Sequence, residues 1–408
     1  MKRNTIKNFS TLAAGLLLSS SAMAIDLEQM EIYGYGSAFY SNYDYLPNYQ
    51  SSPENRSKVD IERFVISPRF IINDTIKIVS EIEFEHGGTG ATVEYDTLDE
   101  FGEFETEIEK GGEVVIEEAY VDITYKPWLN FKVGHMVTPV GLNSQRHLPN
   151  LYLSSARNLS ETTIIPNTWH ESGIMAYGKF ADNWNYQAMI MTGLNSEFFD
   201  SSHWIRGGHQ KRFEFANADD LAFALRLDYG NVIGSHVGAS VYIGNSNQNR
   251  NKEQLDEAGT VTISEIHGVY DEGNIKLRAM ALLGKLSDSE AITTANRGLP
   301  NALEAKRTPV ASEALAYFVE AGYNISPMIR YDNAIIPFVK YDFVDSMYKT
   351  EGIVQDDDRY ERTTITAGIN YFLTPEIVFK ADYSRTSFGK KSGIDDLDTF
   401  TLAVGYQF

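Results

Sequence analysis

Apolar and polar residues alternate with a period of two along most of this chain. The last segment shows the pattern most clearly, because Phe400, Leu402, Val404 and Tyr406 fall on one face of a strand. The residues between them are small or polar. Successive side chains of a β-strand point to opposite faces, so the pattern predicts strands with one apolar and one polar face.

Sixteen segments follow this pattern, at residues 30–42, 58–72, 75–86, 113–125, 129–137, 172–180, 184–193, 220–229, 235–245, 260–270, 275–285, 313–325, 334–344, 361–373, 376–386 and 398–408. Tight turns alternate with long connections, the latter near 43–57, 87–112, 138–171, 194–219, 246–259, 286–312, 345–360 and 387–397. We therefore predict an all-β fold, a 16-stranded antiparallel transmembrane β-barrel with long extracellular loops and short periplasmic turns. A soluble solenoid or pair of sandwiches is the alternative.

The N-terminus has the three parts of a secretory signal peptide. Lys2, Arg3 and Lys7 are basic, residues 12–18 are mainly apolar, and residues 22–24 (Ala-Met-Ala) fit a cleavage site. We expect cleavage after residue 24, export, and a mature barrel domain of residues 25–408.

Composition narrows the possible classes further. The 408-residue chain has no cysteine, which excludes disulfides, and a formal net charge of −21. Loss of a leader with three basic and no acidic residues leaves −24. Such an acidic protein is not expected to bind nucleic acid. The longest other uncharged stretch, residues 229–249, is rich in Gly, Asn and Ser, so no spanning helix is expected.

Signals of enzyme chemistry are weak. The eight histidines include no His-x-x-x-His pair, and no Gly-x-Ser-x-Gly motif occurs. The glycine-rich run 87–90 resembles part of a phosphate-binding loop but is not expected to open a helix. We expect no catalytic residue, no cofactor and no resident metal ion.

The connection 138–171 follows the fifth predicted strand, where 16-stranded channels carry a loop that folds into the lumen. Its prolines would stiffen such a path. Its charged and histidine residues are the candidate constriction residues: Arg146, His147, Arg157, Glu161, His170 and Glu171. An ordinary surface loop is the alternative.

The connection 87–112 and its flanks are the most acidic part of the chain. We expect a solvated loop whose central part is kept extended by charge repulsion. Two sharper alternatives are divalent-cation binding that bridges lipopolysaccharide, and an electrostatic screen at a pore mouth.

Two segments resemble a known family. Residues 131–142 (FKVGHMVTPVGL) are similar to a stretch of the phosphate-selective porin O and P family, and residues 63–70 (RFVISPRF) resemble its arginine-rich second strand. The resemblance implies a trimeric 16-stranded channel in the outer membrane of a Gram-negative cell. Family members that select phosphate use a dense ladder of arginines and lysines, which has no residue-by-residue match here.

Strand parity predicts which charged residues face the lumen. Ten are basic and nine acidic, which predicts weak selectivity, and small inward residues such as Ser67, Gly134, Gly368 and Gly405 favour an open lumen. The main candidates are Arg63, Arg69, Asp122, Lys132, Arg226, Arg278, Lys340, Asp342 and Lys380.

The expected function is passive diffusion of small hydrophilic solutes or ions, with anions such as phosphate suggested by the resemblance. The expected partners are those solutes, outer-membrane lipid and lipopolysaccharide, and two further copies in a homotrimer. An adhesin or surface receptor acting through the acidic loops is the alternative.

Overall fold

The computed structural model describes residues 29–48, 51–96, 105–210, 215–300 and 307–408, and gives side chains for these except at 89–96 and 105–111. The predicted leader, residues 1–24, lies outside the described residues. The described chain forms sixteen antiparallel strands that close into one barrel. They are β1 (Met30–Tyr45), β2 (Glu54–Asn73), β3 (Ile76–Asp96), β4 (Glu105–Lys126), β5 (Leu129–Val137), β6 (His170–Phe180), β7 (Trp184–Thr192), β8 (Leu221–Gly230), β9 (His236–Gly244), β10 (Val261–Glu272), β11 (Ile275–Leu286), β12 (Glu313–Tyr323), β13 (Ile335–Lys349), β14 (Glu361–Thr374), β15 (Ile377–Phe388) and β16 (Leu397–Gln407).

The prediction of sixteen strands is confirmed, and the prediction for 87–112 is wrong. Instead of a loop, β3 continues to Asp96 and pairs with β4 from Glu105 onward. Residues 91–96 (Ala-Thr-Val-Glu-Tyr-Asp) alternate between apolar and polar, and this strand pattern decides the local structure despite the high charge. Residues 97–104, the centre of the predicted acidic loop, lie outside the described residues.

The C-terminal residue closes the barrel. Gly34 and Phe408 exchange two backbone hydrogen bonds, of 2.9 and 2.8 Å. The Phe408 ring stacks on Phe64 with a centroid distance of 6.2 Å and lies against Gly34, where a Cβ would come within 2.7 Å of it. Because Gly34 has no Cβ, the ring of Phe408 can pack against the backbone at this position.

The outward face of the barrel is apolar. Aliphatic residues on seven strands each expose more than half of their surface: Ile174, Ile190, Val237, Ile266, Val319, Val339 and Ile365. Outward apolar residues on a closed antiparallel sheet are typical of a barrel that lipid surrounds. None of the helices among the described residues has the length and apolar composition needed to cross a membrane.

Much of the interior is packed rather than open. Inward residues of β6 to β13, including Met175, Met189 and Phe318, form one buried cluster with Trp169, Trp204 and other residues of the long connections. Three short helices belong to the connections: α1 (Leu159–Ile164), α2 (Ser289–Arg297) and α3 (Ser326–Ile329). Of these, α1 contacts β12 and β13.

Inward glycines mark the places where connections approach the wall. A Cβ on Gly405 would lie 2.6 Å from Pro149 Cβ, and one on Gly322 would lie 2.6 Å from Leu153 Cδ1. A Cβ on Gly284 would overlap the indole ring of Trp204. Because Gly405 has no Cβ, the inserted Pro149 can pack against it. The prediction that Gly405 favours an open lumen is therefore wrong.

Replacing Gly284 by alanine is expected to lower the free energy of unfolding by about 1–3 kcal/mol, because the buried Trp204 ring has to move. The matched control is Gly268→Ala in the neighbouring strand, where the nearest atom to a new Cβ is 3.6 Å away. Urea-unfolding midpoints of both variants in detergent micelles check this. Equal midpoints would contradict the proposed packing.

Candidate functional site in the barrel lumen

The connection between β5 and β6, residues 138–169, enters the lumen and is called the inserted loop below. Its two ends lie side by side, because Thr138 N donates to Trp169 O at 2.7 Å. Its middle reaches the short-turn rim, where Arg146 Nη1 donates to the carbonyl oxygens of Val232 and Ile233 at 2.9 and 2.5 Å. The loop therefore extends from one rim of the barrel to the other.

Arg226 of β8 anchors the first part of the inserted loop. Its guanidinium donates to the carbonyl oxygen of Gly141 at 2.5 Å and is held by Asp228 at 2.7 Å. The backbone N–H of Gly141 donates to Ser240 Oγ at 3.2 Å. Gly141 has φ +83°, a conformation that favours glycine and allows the chain to turn here.

The opposite wall anchors the rest of the inserted loop. Lys340 Nζ donates to Ser154 Oγ at 2.8 Å, and Lys380 Nζ donates to the carbonyl oxygens of Tyr152 and Ser154 at 2.7 and 3.0 Å. Asp342 accepts the backbone N–H groups of residues 159 and 160, both at 2.7 Å. These predicted lumen-facing residues bind the loop instead of facing an open channel.

Arg278 has the same role. It lies 3.3 Å from Glu320, and its Nη2 is 3.4 Å from Asn143 Oδ1. Like Arg226, Lys340 and Lys380, it is buried. Most of the basic residues that strand parity predicts to face the lumen in β8 to β15 therefore contact the wall or the inserted loop.

The remaining predicted lumen residues lie on the β2–β5 side. Arg63 forms an ion pair with Glu83 at 3.1 Å, and Arg69 lies 4.2 Å above the Tyr33 ring. Lys132 lies 4.5 Å above the Tyr120 ring. Asp122 accepts a hydrogen bond of 2.6 Å from Tyr177 Oη.

The six candidate constriction residues are not gathered at one level. Arg146 is at the short-turn rim, and the His147 ring lies 5.5 Å from the Tyr35 ring of β1. Arg157 donates to Asn167 and Thr168 at 2.7 and 2.6 Å, near the other rim.

The other three candidates make buried contacts. Glu161 accepts the Asn143 N–H at 2.8 Å. His170 and Glu171 are the first residues of β6, where His170 Nδ1 lies 2.5 Å from His135 Nε2 and Glu171 accepts from Thr192 Oγ1 at 2.8 Å.

Burial changes the ionisation of the inserted loop. It raises the pKa of Glu161 to about 7, with the Glu265 carboxylate adding to the effect. It lowers the pKa of Arg146 to about 10, with Arg278 contributing, and also lowers the pKa of His147. Near neutral pH, Glu161 and His147 are therefore less charged than the sequence indicates, while Arg146 stays protonated.

A cavity of about 370 Å³ lies on the long-loop side of the inserted loop and is called the outer cavity. Five carboxylates line it against two arginines, together with three histidines: Glu83, Glu85, Glu113, Glu117, Asp200, Arg63, Arg206, His170, His203 and His209. Arg63 is shared between Glu83 and Glu62, at 3.1 and 3.6 Å. The five carboxylates that line this cavity therefore outnumber its two arginines.

Strand parity missed Glu117. The pairing of β3 with β4 shifts between Glu81 and Ile82, so that Glu118 pairs with Glu81 while Ile116 pairs with Ile82. This β-bulge places Glu117 inside as well as Glu118. Glu117 is 3% exposed, and its Oε2 has no hydrogen-bond partner among the described residues.

A second cavity of about 510 Å³, the inner cavity, lies near the short-turn rim. Its charged lining is mixed, with Arg146, Lys276 and Arg278 facing Asp271 and Asp332. The inserted loop supplies lining residues to both cavities, since Pro166, Asn167 and Thr168 line the outer one. The inserted loop therefore forms part of the wall of both cavities.

One group of side chains in the described chain brings three metal-binding atoms close together. Asp228, His236 and His267 each offer one ligand atom, and these atoms lie within 4.8 Å of one another. Motifs of closely spaced residues do not reveal this group, because its members lie on three different strands, β8, β9 and β10.

Comparison with known proteins assigns a family. Residues 81–290, about half of the chain, match the family model described as "Putative beta-barrel porin-2, OmpL-like". The chain belongs to this family. The match confirms the predicted porin class and an outer-membrane location, so the short-turn rim is periplasmic and the long-loop rim extracellular. The narrower resemblance to the phosphate-selective porin O and P family stays a prediction.

The chain is also similar to one curated protein in sequence and to solved porin structures in fold. An uncharacterized protein of Aquifex aeolicus (strain VF5) is 27% identical over 97% of this chain and 84% of its own length. OmpF of Salmonella typhi, solved with daunomycin, is 14% identical with a TM-score of 0.56, covering 94% of this chain and 99% of that one. An anion-selective porin of Comamonas acidovorans is 9% identical with a TM-score of 0.51, covering 93% and 99%. The two solved structures show a likeness of fold.

Proposed function

We propose that this porin is a passive diffusion channel for small hydrophilic solutes that prefers cations. The single observation that carries the preference is the outer cavity, where five carboxylates face two arginines. A charge that lines a narrow, weakly hydrated passage acts directly on a passing ion, whereas charge on exposed loops is screened within about 8 Å at physiological salt.

The nearly balanced count of inward charges does not describe the surface that a solute meets. Arg226, Lys340 and Lys380 contact the inserted loop and are buried. The glutamates of β3 and β4 instead line the outer cavity. The effective lining of this part of the lumen is therefore acidic.

The same contacts argue against phosphate as the preferred solute. A phosphate path needs several arginines or lysines whose donors are available to the anion. Arg226, Lys340 and Lys380 already have acceptors in the wall or the inserted loop. We infer that the anion selectivity of the resembled family is absent here.

The proposal includes assembly as a homotrimer in the outer membrane, in contact with lipid and lipopolysaccharide. The exposed Ile61 of β2, together with Phe64 and Ile66, is the candidate protomer contact. The alternative function, an adhesin or receptor acting through the acidic segment, depends on residues of which 97–104 lie outside the described chain. The described residues do not favour it.

Reversal potentials across a KCl gradient at pH 8 test the cation preference. Wild-type protein is expected to favour K⁺, and the double variant Glu83→Gln/Glu117→Gln is expected to lower the permeability ratio of K⁺ to Cl⁻ at least twofold, because it removes two acidic groups from the outer cavity.

The matched control is Asp395→Asn/Asp396→Asn, which removes the same charge from exposed positions of the β15–β16 loop. It should leave the ratio nearly unchanged. Anion selectivity of the wild type, or equal ratios in the two double variants, would overturn the proposal.

A further inference from the structure

Asp228, His236 and His267 form a compact group on the inner face of the barrel wall. Gly238 of β9 pairs with Asp228 on one side and with His267 on the other. A Cβ at position 238 would overlap Asp228 Oδ1 and His267 Nε2, so glycine leaves the space in which these two side chains meet. All three group members are buried.

Both imidazole rings are oriented as in metal-binding histidines. His236 Nδ1 lies 3.2 Å from Gly234 O, and His267 Nδ1 lies 2.8 Å from Glu265 Oε1. Ser240 Oγ donates to the other Glu265 oxygen at 2.6 Å. A histidine that ligates a metal through one ring nitrogen usually donates the other N–H to a carbonyl or carboxylate in this way.

His236 supplies a second, independent observation. Its Nε2 has no hydrogen-bond partner among the described residues, and the side chain is only 4% exposed. A buried nitrogen without a partner costs free energy, which a bound cation would recover. With Nδ1 donating to Gly234 O, Nε2 carries the lone pair that a metal ion needs.

Arg226 is the competing cation. Its Nη2 lies 3.0 Å from Asp228 Oδ1 and 2.8 Å from His267 Nε2. An incoming ion has to displace Arg226 Nη2 from these two atoms and also the proton that His267 Nε2 shares with Asp228 Oδ1 at 2.8 Å. Arg226 Nε keeps its bond of 2.7 Å to Asp228 Oδ2. The carboxylates of Asp228 and Glu265 outnumber this single guanidinium within the group.

The geometry requires adjustment at all three side chains, because their ligand atoms lie within 4.8 Å of one another and a tetrahedral zinc ion needs them about 3.3 Å apart. Asp228 Oδ1 and His267 Nε2 are 2.8 Å apart, whereas neighbouring ligands about 2.0–2.1 Å from a tetrahedral zinc ion lie about 3.3 Å from each other. The two atoms therefore separate by about half an ångström on binding. Together with the displaced guanidinium, this predicts a weaker site than a structural zinc site.

We propose that Asp228, His236 and His267 bind a divalent transition-metal ion, with Zn²⁺ as the best fit and water as a fourth ligand. Two imidazoles and one carboxylate suit Zn²⁺ better than Mg²⁺ or Ca²⁺, which prefer oxygen ligands. This site is separate from the outer cavity and does not depend on the proposed ion selectivity.

Isothermal titration of the detergent-purified full chain with ZnCl₂ tests the site. Wild-type protein is expected to bind one Zn²⁺, and His236→Gln is expected to weaken binding at least tenfold. His236 is the best position to change, because its side-chain hydrogen bond is to a backbone carbonyl, Gly234 O, rather than to Arg226. X-ray absorption of the wild-type complex should show two imidazole ligands.

The control is His209→Gln in the outer cavity, where histidines also cluster: the rings of His170 and His209 lie 4.6 Å apart. This variant should bind Zn²⁺ like the wild type. A second variant, Arg226→Gln, removes the competing charge and should bind more tightly. Absence of binding by the wild type, unchanged affinity in His236→Gln, or loss in His209→Gln alone would overturn the proposal.

Discussion

Excision of residues 144–157 from the inserted loop is expected to raise the single-channel conductance several-fold. This segment contacts the barrel wall at several points, and its residues Arg146, Asn150, Leu151 and Leu153 line the inner cavity. The chain offers a natural point for rejoining, because Asn143 Nδ2 donates to Asn158 Oδ1 at 2.7 Å. Two glycines between Asn143 and Asn158 should therefore close the gap without stretching the flanking chain.

Planar-bilayer recordings of the excised and wild-type proteins provide the measurement. A control excision of residues 390–395 shortens the β15–β16 loop, several of whose residues are exposed, and should leave conductance within the spread of the wild type. Heat-modifiable migration in gels would show that both variants close as barrels. Unchanged conductance in a folded 144–157 excision would contradict the assignment of this segment as the constriction.

A fall in stability between pH 5 and pH 8 is the second large effect, and Glu161 contributes to it. Burial raises the pKa of this carboxyl group from 4.5 to about 7. Below pH 4.5 the group is protonated in both the folded and the unfolded chain. Between pH 4.5 and 7 the unfolded chain releases the proton and the folded chain keeps it, so the unfolded state gains stability as pH rises.

Above pH 7 both states are ionised, and the cost of the buried charge is fully present. A shift of this size corresponds to about 3 kcal/mol. Urea unfolding in micelles at pH 5 and pH 8 measures the difference. Glu161→Gln should be more stable than the wild type at pH 8 and should show a smaller pH dependence, because its amide stays neutral and still accepts the Asn143 N–H.

Glu376→Gln is the matched control, since Glu376 is an exposed residue of the β14–β15 turn. It should keep the full pH dependence of the wild type. If Glu161→Gln retained that dependence as well, the titrating group would lie elsewhere in the chain.

The alternation of apolar and polar residues determined the strands. In β5 the predicted bounds, 129–137, are also the observed ones, and the inward position of Arg63, Lys132 and Arg226 follows from strand parity. Parity is a local property, because each residue of a strand turns its side chain to the opposite face from its neighbour. The number of strands follows from the count of such segments, and their antiparallel order follows from the alternation of tight turns with long connections.

Parity fails where the pairing of strands shifts. The bulge at residues 117 and 118 directs the Glu117 side chain into the lumen. No local pattern in the sequence indicates this bulge. We predict a loop at 87–112 from the sequence, but β3 continues to Asp96 and pairs with β4 there. The alternation of residues 91–96 outweighs the high charge of this segment. In both places, hydrogen bonding between two strands decides the outcome.

Contacts between the inserted loop and the wall were decided only by the tertiary structure. The position of the 138–171 connection predicts that it enters the lumen, but not that Lys380 binds the carbonyl oxygens of Tyr152 and Ser154. These partners are 228 and 226 residues apart in the chain. Whether a lumen lysine meets water or a loop carbonyl depends on distant segments that meet only when the barrel closes.

The same reason explains the metal-binding group and the acidic outer cavity. Asp228, His236 and His267 are separated by 8 to 39 residues and become neighbours through the pairing of β8, β9 and β10. The alternation of apolar and polar residues predicts the three strands that carry these side chains. Register and loop insertion decided which charges they meet, because both depend on non-local hydrogen bonds that no single segment of sequence specifies.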